Sequence, residues 1–292
     1  MDIQAFPKGL LLFRTNIKNW VSYLIQFIVS IVLFTNCASQ KFVYPKARQN
    51  AKAMELILVP GIFETKTKQY KADYGTLVVP ENRFKDDSRL IELPVIRIHS
   101  SSSNPTEPIF FLSGGPGKSN MTFTPPDYML AKHDFVMVGY RGVDGSSILE
   151  CPEVQNALKA DGEVLSKKFL KNTGRAWTSC ASRLKKEGVD LDGYTIMEVI
   201  EDMESARIAL DYKRINLASG SYGTRVAYIY GLKHATSIYR SAMIGATPPG
   251  HFGWEPETID RQLKYYADLW AKDSVMSVQT PDLLIYHEKS CP

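Results

Sequence analysis

A short apolar run, Ile215-Asn216-Leu217-Ala218, passes directly into Ser219-Gly220-Ser221-Tyr222-Gly223 and then into the helix-compatible stretch TRVAYIYGL. A serine on so sharp a strand-to-helix turn has its hydroxyl pushed out above a sheet. The residues around it must be small, because such a turn is strained and packs closely. The usual spacing is G-x-S-x-G. Gly223 supplies the last glycine, whereas Ser219 stands at the first position, where some added backbone strain is expected. Taken alone, the pattern marks no more than a polar loop between a strand and a helix, so its meaning depends on the rest of the chain.

The chain supplies the sheet that such a turn needs. Gly75–Val79 ends at Pro80, and Leu90–His99 is a second extended stretch. Pro108–Ser113 (PIFFLS) runs into glycines, Phe135–Tyr140 (FVMVGY) runs into Arg141-Gly142, and Tyr239–Gly245 reads as one more strand. Unbroken short apolar runs indicate strands buried on both faces, as in a mostly parallel sheet covered by helices. Two helices are marked ahead of the serine turn. Leu165–Glu187 is helix-compatible but interrupted by Gly174, with Gly188 placed to end it. The second opens on Thr195 and Glu198 at capping-box spacing, and Ile196, Val199, Ile200, Met203, Ala206 and Leu210 then recur every three or four residues. Strands alternating with helices predict an α/β fold.

The amino-terminal segment has a different character. Lys8, Arg14 and Lys18 precede an uncharged stretch from Asn19 to Gln40 that contains the apolar block Trp20–Phe34. A basic segment followed by an apolar one is the layout of an export signal. The block ends in Leu33-Phe34-Thr35-Asn36-Cys37, which resembles the lipobox of bacterial lipoproteins, with Cys37 the acylated residue and Asn36 where Gly, Ala or Ser is usual. An uncleaved signal anchor is the alternative, since about 18 apolar residues just span a bilayer. Either reading gives an exported, membrane-tethered protein, with residues 1–37 as signal or anchor and 38–72 as tether and lead-in. With 44% hydrophobic and 23% charged residues overall, the chain can build a folded core,. A net charge of +4 gives no reason to expect a nucleic-acid partner. No His/Cys/Asp/Glu pair sits at metal-ligand spacing and G-x-G-x-x-G is absent, so neither a metal nor another cofactor is expected.

Two further motifs accompany the serine turn. Ser113-Gly114-Gly115-Pro116-Gly117 follows an apolar strand, as suits a loop whose backbone N–H groups face an oxyanion. Gly139–Ser146 (GYRGVDGS) follows another. Together with Tyr74–Pro80 (YGTLVVP), these segments resemble, in order, four motifs of the proline iminopeptidase and tripeptidyl aminopeptidase-like serine peptidases of the α/β-hydrolase fold. Those motifs are a CGTL-x-VP strand, an HGGPG loop, a D-x-RG-x-G-x-S turn and a GGSYG elbow. The resemblance implies a hydrolase core over 73–250 and the start of a helical cap over 251–292. It makes Ser221 the nucleophile of an acyl-enzyme mechanism, with the oxyanion held by the N–H of Tyr222 and one from Gly114 or Gly115, and with Ser219 and Gly223 supporting the elbow. Tyr74, Ser113, Gly139 and Ser219 depart from the family pattern at Cys, His, Asp and Gly respectively, and the last three bear on substrate class and rate. A peptide or a small ester is the implied substrate.

An alcohol needs a general base, normally a histidine oriented by a carboxylate, and in this fold both follow the serine in sequence. His234, His251 and His287 follow Ser221, and none has the setting of a triad base. The family's Asp and His lie beyond the cap, on loops after the last two strands, and roughly 220 residues are short for a capped hydrolase. The expectation is thus an amino-terminal portion of a longer enzyme. Glu255, Glu257 and Asp260 are candidates for holding a substrate's amino group, although solvated helix positions account for them equally. Relatives often bridge the positions of Cys151 and Cys180, which leaves Cys291 unpaired once Cys37 is lipidated. Three readings remain: an active exported hydrolase, of aminopeptidase or esterase type; an inactive remnant without its base; and a lipid-anchored binding protein on a hydrolase scaffold. An open apolar edge at Tyr239–Gly245 is expected to make the isolated chain fold poorly or associate. A sharp monomeric thermal transition without self-association would contradict that expectation.

Overall fold

The computed structural model describes residues 44–160, 166–250, 255–275 and 278. The apolar block at 20–34, Cys37, His251, His287 and Cys291 lie outside the described residues.

Seven described strands form one sheet. They are β1 (Leu56–Glu64), β2 (Gln69–Pro80), β3 (Leu90–Ile98), β4 (Thr106–Leu112), β5 (His133–Val138), β6 (Ile215–Gly220) and β7 (Ile238–Ile244), in the spatial order β1-β2-β3-β5-β4-β6-β7. The first three and β5 pair antiparallel, and β5, β4, β6 and β7 pair parallel. The helices are α1 (Pro152–Ala160), α2 (Lys167–Lys186), α3 (Ile196–Ala209), α4 (Tyr222–Lys233) and α5 (Pro256–Lys272).

The period-two alternation of the central strands divides the core between the two faces of the sheet. Phe110, Leu112, Val136, Val138 and Leu217 pack with Ile200, Met203 and Ala206 of α3 and with Val226, Ala227 and Tyr230 of α4. Phe135 and Met137 face the opposite way, onto Leu130 and the 121–129 segment. There Phe111 stacks on Phe123 at 3.9 Å between ring centroids, and Phe135 completes the group. The strands read as doubly buried are therefore covered by helices on one face and by an irregular, aromatic-rich segment on the other.

Three local expectations are corrected. The segment 38–72, read as tether and lead-in, contains β1 and the start of β2. β1 was hidden because it is a half-exposed edge strand carrying Pro60 and Gly61, which an edge tolerates,. Tyr44 packs against Tyr74, and Thr76 donates to the Pro45 carbonyl at 2.5 Å, so residues ahead of β1 also pack on the sheet. α2 runs through Gly174 without a break and ends as expected, with Gly188 at φ +84° just past Glu187,. Thr195 does cap α3, accepting from the Glu198 N–H at 3.3 Å. The Glu198 carboxylate does not return to the cap, however. It turns inward to Arg83, with Nη1 2.5 Å from Oε2.

That inward turn belongs to a buried charge cluster. The Arg141 guanidinium, whose side chain is 1% exposed, donates twice to Asp202 at 2.7 Å. Its remaining N–H groups reach the carbonyls of Pro80, Glu81 and Gly193. Arg83 also donates to Asp202, at 2.8 Å. With every fork of Arg141 satisfied, β2, the turn after β5 and α3 are fastened at one point.

Cys151 and Cys180 are bridged, with Cα atoms 5.5 Å apart, tying the start of α1 to α2 across 29 residues. Closing a loop of that length stabilises a fold by roughly 3–4 kcal/mol on the chain-entropy account. Reduction, or the Cys151→Ser/Cys180→Ser double variant, is expected to lower the unfolding free energy by about that amount. The effect would be read as a lower midpoint in urea denaturation followed by circular dichroism. An unmoved midpoint would show that α1 and α2 are ordered without the bridge.

Candidate active site

Ser221 sits between the last residue of β6 and the first of α4, with φ +49° and ψ −121°. A non-glycine residue in that sparsely populated region is strained by about 1–3 kcal/mol and persists only where its surroundings over-determine it. They do so here. The Ser221 N–H donates to the Ile244 carbonyl at the end of β7 at 2.9 Å. Its carbonyl accepts from the Thr224 hydroxyl at 2.6 Å and from the Thr247 hydroxyl at 3.1 Å. Thr247 in turn donates its N–H to Thr224 Oγ1. The side chain is exposed, and its hydroxyl has no hydrogen-bond partner among the described residues.

The small residues around the serine have separate duties. A Cβ on Gly223 would lie 2.1 Å from the Leu112 carbonyl oxygen, so the first turn of α4 can sit on the end of β4 only with glycine there. Ser219 does not carry the added strain expected of a residue at the usual glycine position, because its φ is not positive. It is buried within β6, and its hydroxyl donates to the Ala242 carbonyl of β7 at 3.1 Å. Serine at this position therefore adds a tie to the neighbouring strand.

The loop after β4 reaches the same spot. A Cβ on Gly114 would lie 3.2 Å from the Ser221 Cβ, which places Gly114 directly against the serine. The N–H groups of Gly114, Gly115 and Tyr222 have no acceptor among the described residues. Free backbone donors beside an exposed hydroxyl are the arrangement that stabilises a tetrahedral oxyanion. Gly115 and Gly117 adopt φ of +126° and +87°, which explains the glycines of this loop,.

Beneath the loop lies a polar assembly that sequence reading missed. The wholly buried Asn120 accepts the Ser113 N–H at 2.8 Å and donates to the carbonyls of Phe111 and Val138. Two carbonyls and one amide N–H leave only one orientation for that side chain. Asp144 accepts from the N–H groups of Tyr140 and Asn120 and from the Ser119 hydroxyl. Gly139, which departs from the family's Asp, has no room for a side chain: a Cβ would lie 2.7 Å from both Asp144 and Pro94. The carboxylate organising this turn therefore comes from Asp144. The only signal for it was an Asp-Gly step in a turn. Burial raises the Tyr140 phenol strongly above its ordinary range, and burial raises that of Tyr222 as well, so both are neutral hydroxyls at physiological pH,.

The three described histidines are engaged elsewhere. His133 opens β5, bound to Thr106 and the Glu107 carbonyl, at the amino end of the parallel strands and thus opposite Ser221. His99 follows β3 at that same end and contacts Asp73 at 2.8 Å. His234 follows the last residue of α4, about 20 Å along the helix from Ser221,, and pairs with Glu201 at 2.9 Å. Glu255, Glu257 and Asp260 are exposed at the start of α5. No group of three or more His, Cys, Asp or Glu among the described residues could hold a metal ion. No helix among them is long and apolar enough to cross a membrane.

Strand order, elbow and glycine loop together define a hydrolase-type α/β fold. Residues 107–277, more than half of the chain, match the alpha/beta hydrolase fold family, and the chain belongs to it. Among characterised relatives it is similar to the tripeptidyl aminopeptidase of Streptomyces coelicolor, with 24% identity over 210 residues, covering 65% of this chain and 38% of that one. Its similarity to the tripeptidyl aminopeptidase of Streptomyces lividans is 24% over 208 residues, with the same coverage of each chain. The chain thus spans well under half the length of these relatives. Among solved structures it is similar to the 2-hydroxy-6-oxo-6-phenylhexa-2,4-dienoate hydrolase of Rhodococcus sp. strain RHA1. That match has 14% identity and a TM-score of 0.36, covering 73% of this chain and 55% of that one.

The strain at Ser221 has a measurable consequence. Ser221→Gly is expected to relieve it and, after glycine's entropic cost, to stabilise the protein by about 1 kcal/mol. That corresponds to a melting temperature higher by roughly 2–4 °C. Ser221→Ala keeps the strained backbone and should show no such gain. Equal melting temperatures for the two variants would mean that the turn stores no strain.

Proposed function

We propose that this chain carries the nucleophile and oxyanion site of an exported serine hydrolase that cleaves residues from the amino terminus of peptides. In this reading the Ser221 hydroxyl attacks the scissile carbonyl and loses its proton to a general base. The tetrahedral oxyanion is held by the N–H groups of Gly114 and Tyr222. The leaving amine departs with a proton, and water releases the acyl group from Ser221. The observation that carries the reading is the meeting of a strained, exposed serine with backbone donors that have no other acceptor among the described residues. The similarity to two tripeptidyl aminopeptidases supports peptides over other acyl substrates.

Export is supported by the Cys151–Cys180 bridge, since disulfides persist in oxidising compartments,. The basic and apolar amino-terminal segment is consistent with it, and Cys37 is the proposed lipid attachment point for tethering to a membrane. A second reading has its own support. The three described histidines are bound away from Ser221, which favours a chain that keeps the nucleophile and oxyanion loop but does not turn over by itself.

A fluorophosphonate probe on the full chain tests both. Labelling that disappears in Ser221→Ala is expected, and its loss in His251→Ala or His287→Ala would identify the base. A folded chain that takes no label would overturn the active reading in favour of the second. Label retained in Ser221→Ala would overturn the assignment of the nucleophile.

A further inference from the structure

The two backbone groups of Ser113 are both held by buried side chains. Its N–H donates to Asn120 Oδ1, and its carbonyl accepts from the Tyr140 hydroxyl at 3.2 Å. The second bond matters for the oxyanion site, because the Ser113 carbonyl and the Gly114 N–H belong to one planar peptide. That peptide is trans, so its carbonyl and N–H point in opposite directions,. Drawing the carbonyl onto Tyr140 aims the Gly114 N–H the other way, out of the core. The same Tyr140 ring meets Tyr222 edge-on, at 6.4 Å and 84°, and the Tyr222 N–H is the other proposed donor. Tyr140 is 4% exposed, and its own N–H is held by Asp144 at 2.9 Å, so it is a fixed reference for both.

We infer that Tyr140 is the positioning residue of the oxyanion site, its hydroxyl orienting the Ser113–Gly114 peptide while its ring seats Tyr222. The inference rests on the reading of Ser221 as a nucleophile. It assigns Tyr140 no contact with substrate. The hydroxyl acts through a backbone it does not belong to, and its proton is never transferred.

Tyr140→Phe keeps the ring and deletes only the hydroxyl. In the full chain it is expected to slow fluorophosphonate labelling of Ser221 by about ten- to hundredfold, the scale of a misplaced oxyanion donor. The melting temperature should fall by no more than a few degrees. The Gly114 amide resonance should shift, because its peptide loses the carbonyl hydrogen bond, while hydrogen–deuterium exchange leaves the amides of β4 and β5 protected. An unchanged labelling rate overturns the inference. So does a slowing matched by lost protection throughout β4 and β5, which would mark a merely structural role. If the wild-type chain takes no label, the active reading fails and the Gly114 amide resonance decides for Tyr140: a shift in Tyr140→Phe upholds the orientation, and an unmoved resonance overturns it.

Discussion

The site is built on one steric contact, the approach of Gly223 to the carbonyls of Leu112 and Ser113. With a Cβ at position 223 this distance would be 2.1 Å to the Leu112 oxygen, so no other residue lets α4 start where it does. The contact brings two turns from distant parts of the chain together, the one after β4 and the one after β6. Because those strands are parallel neighbours, both turns emerge at the same edge of the sheet, and a single absent methyl group brings Gly114 against Ser221. The strain at Ser221 follows from the same contact. A helix that must begin one residue after the strand ends gives the connecting residue little choice of backbone angles.

Electrostatics holds the opposite side of the site. Burying Arg141, Asp202 and Glu198 together costs several kcal/mol per ion in desolvation, which is recovered only where geometry and hydrogen bonds are complete. Here the guanidinium of Arg141 is shared between a carboxylate and three main-chain carbonyls. The cluster anchors the turn after β5 just beside Tyr140, and Asp144 then shapes that turn by collecting the Tyr140 and Asn120 N–H groups. Charge fixes where the turn lies, and the smaller polar contacts fix which way its atoms face.

What could be read from the sequence was what is local in the chain. The elbow, the strands around it and the Thr195 cap each occupy a few consecutive residues whose pattern has one physical meaning. The misreadings share a cause as well. Glu198 left its capping role for Arg83, 115 residues away, and Tyr140 serves a carbonyl 27 residues away. Neither partner leaves a mark on the local pattern. β1 was missed because an edge strand need satisfy only one neighbour and so can carry a proline. Ser219 was misjudged for a different reason: the family pattern has glycine there, but this backbone does not need one, and the hydroxyl found a partner on β7.

β7 holds the elbow on one side only. Its carbonyls take the Ser221 N–H and the Ser219 hydroxyl, while Tyr239–Ile244 stand exposed and no described strand lies beyond. Strands so placed open and close locally at far lower cost than the centre of a sheet. Each opening would free the Ser221 N–H from the Ile244 carbonyl, so the persistence of the strained turn is tied to the closure of an edge strand. A segment pairing along the free side of β7 would hold the turn from outside without touching the serine.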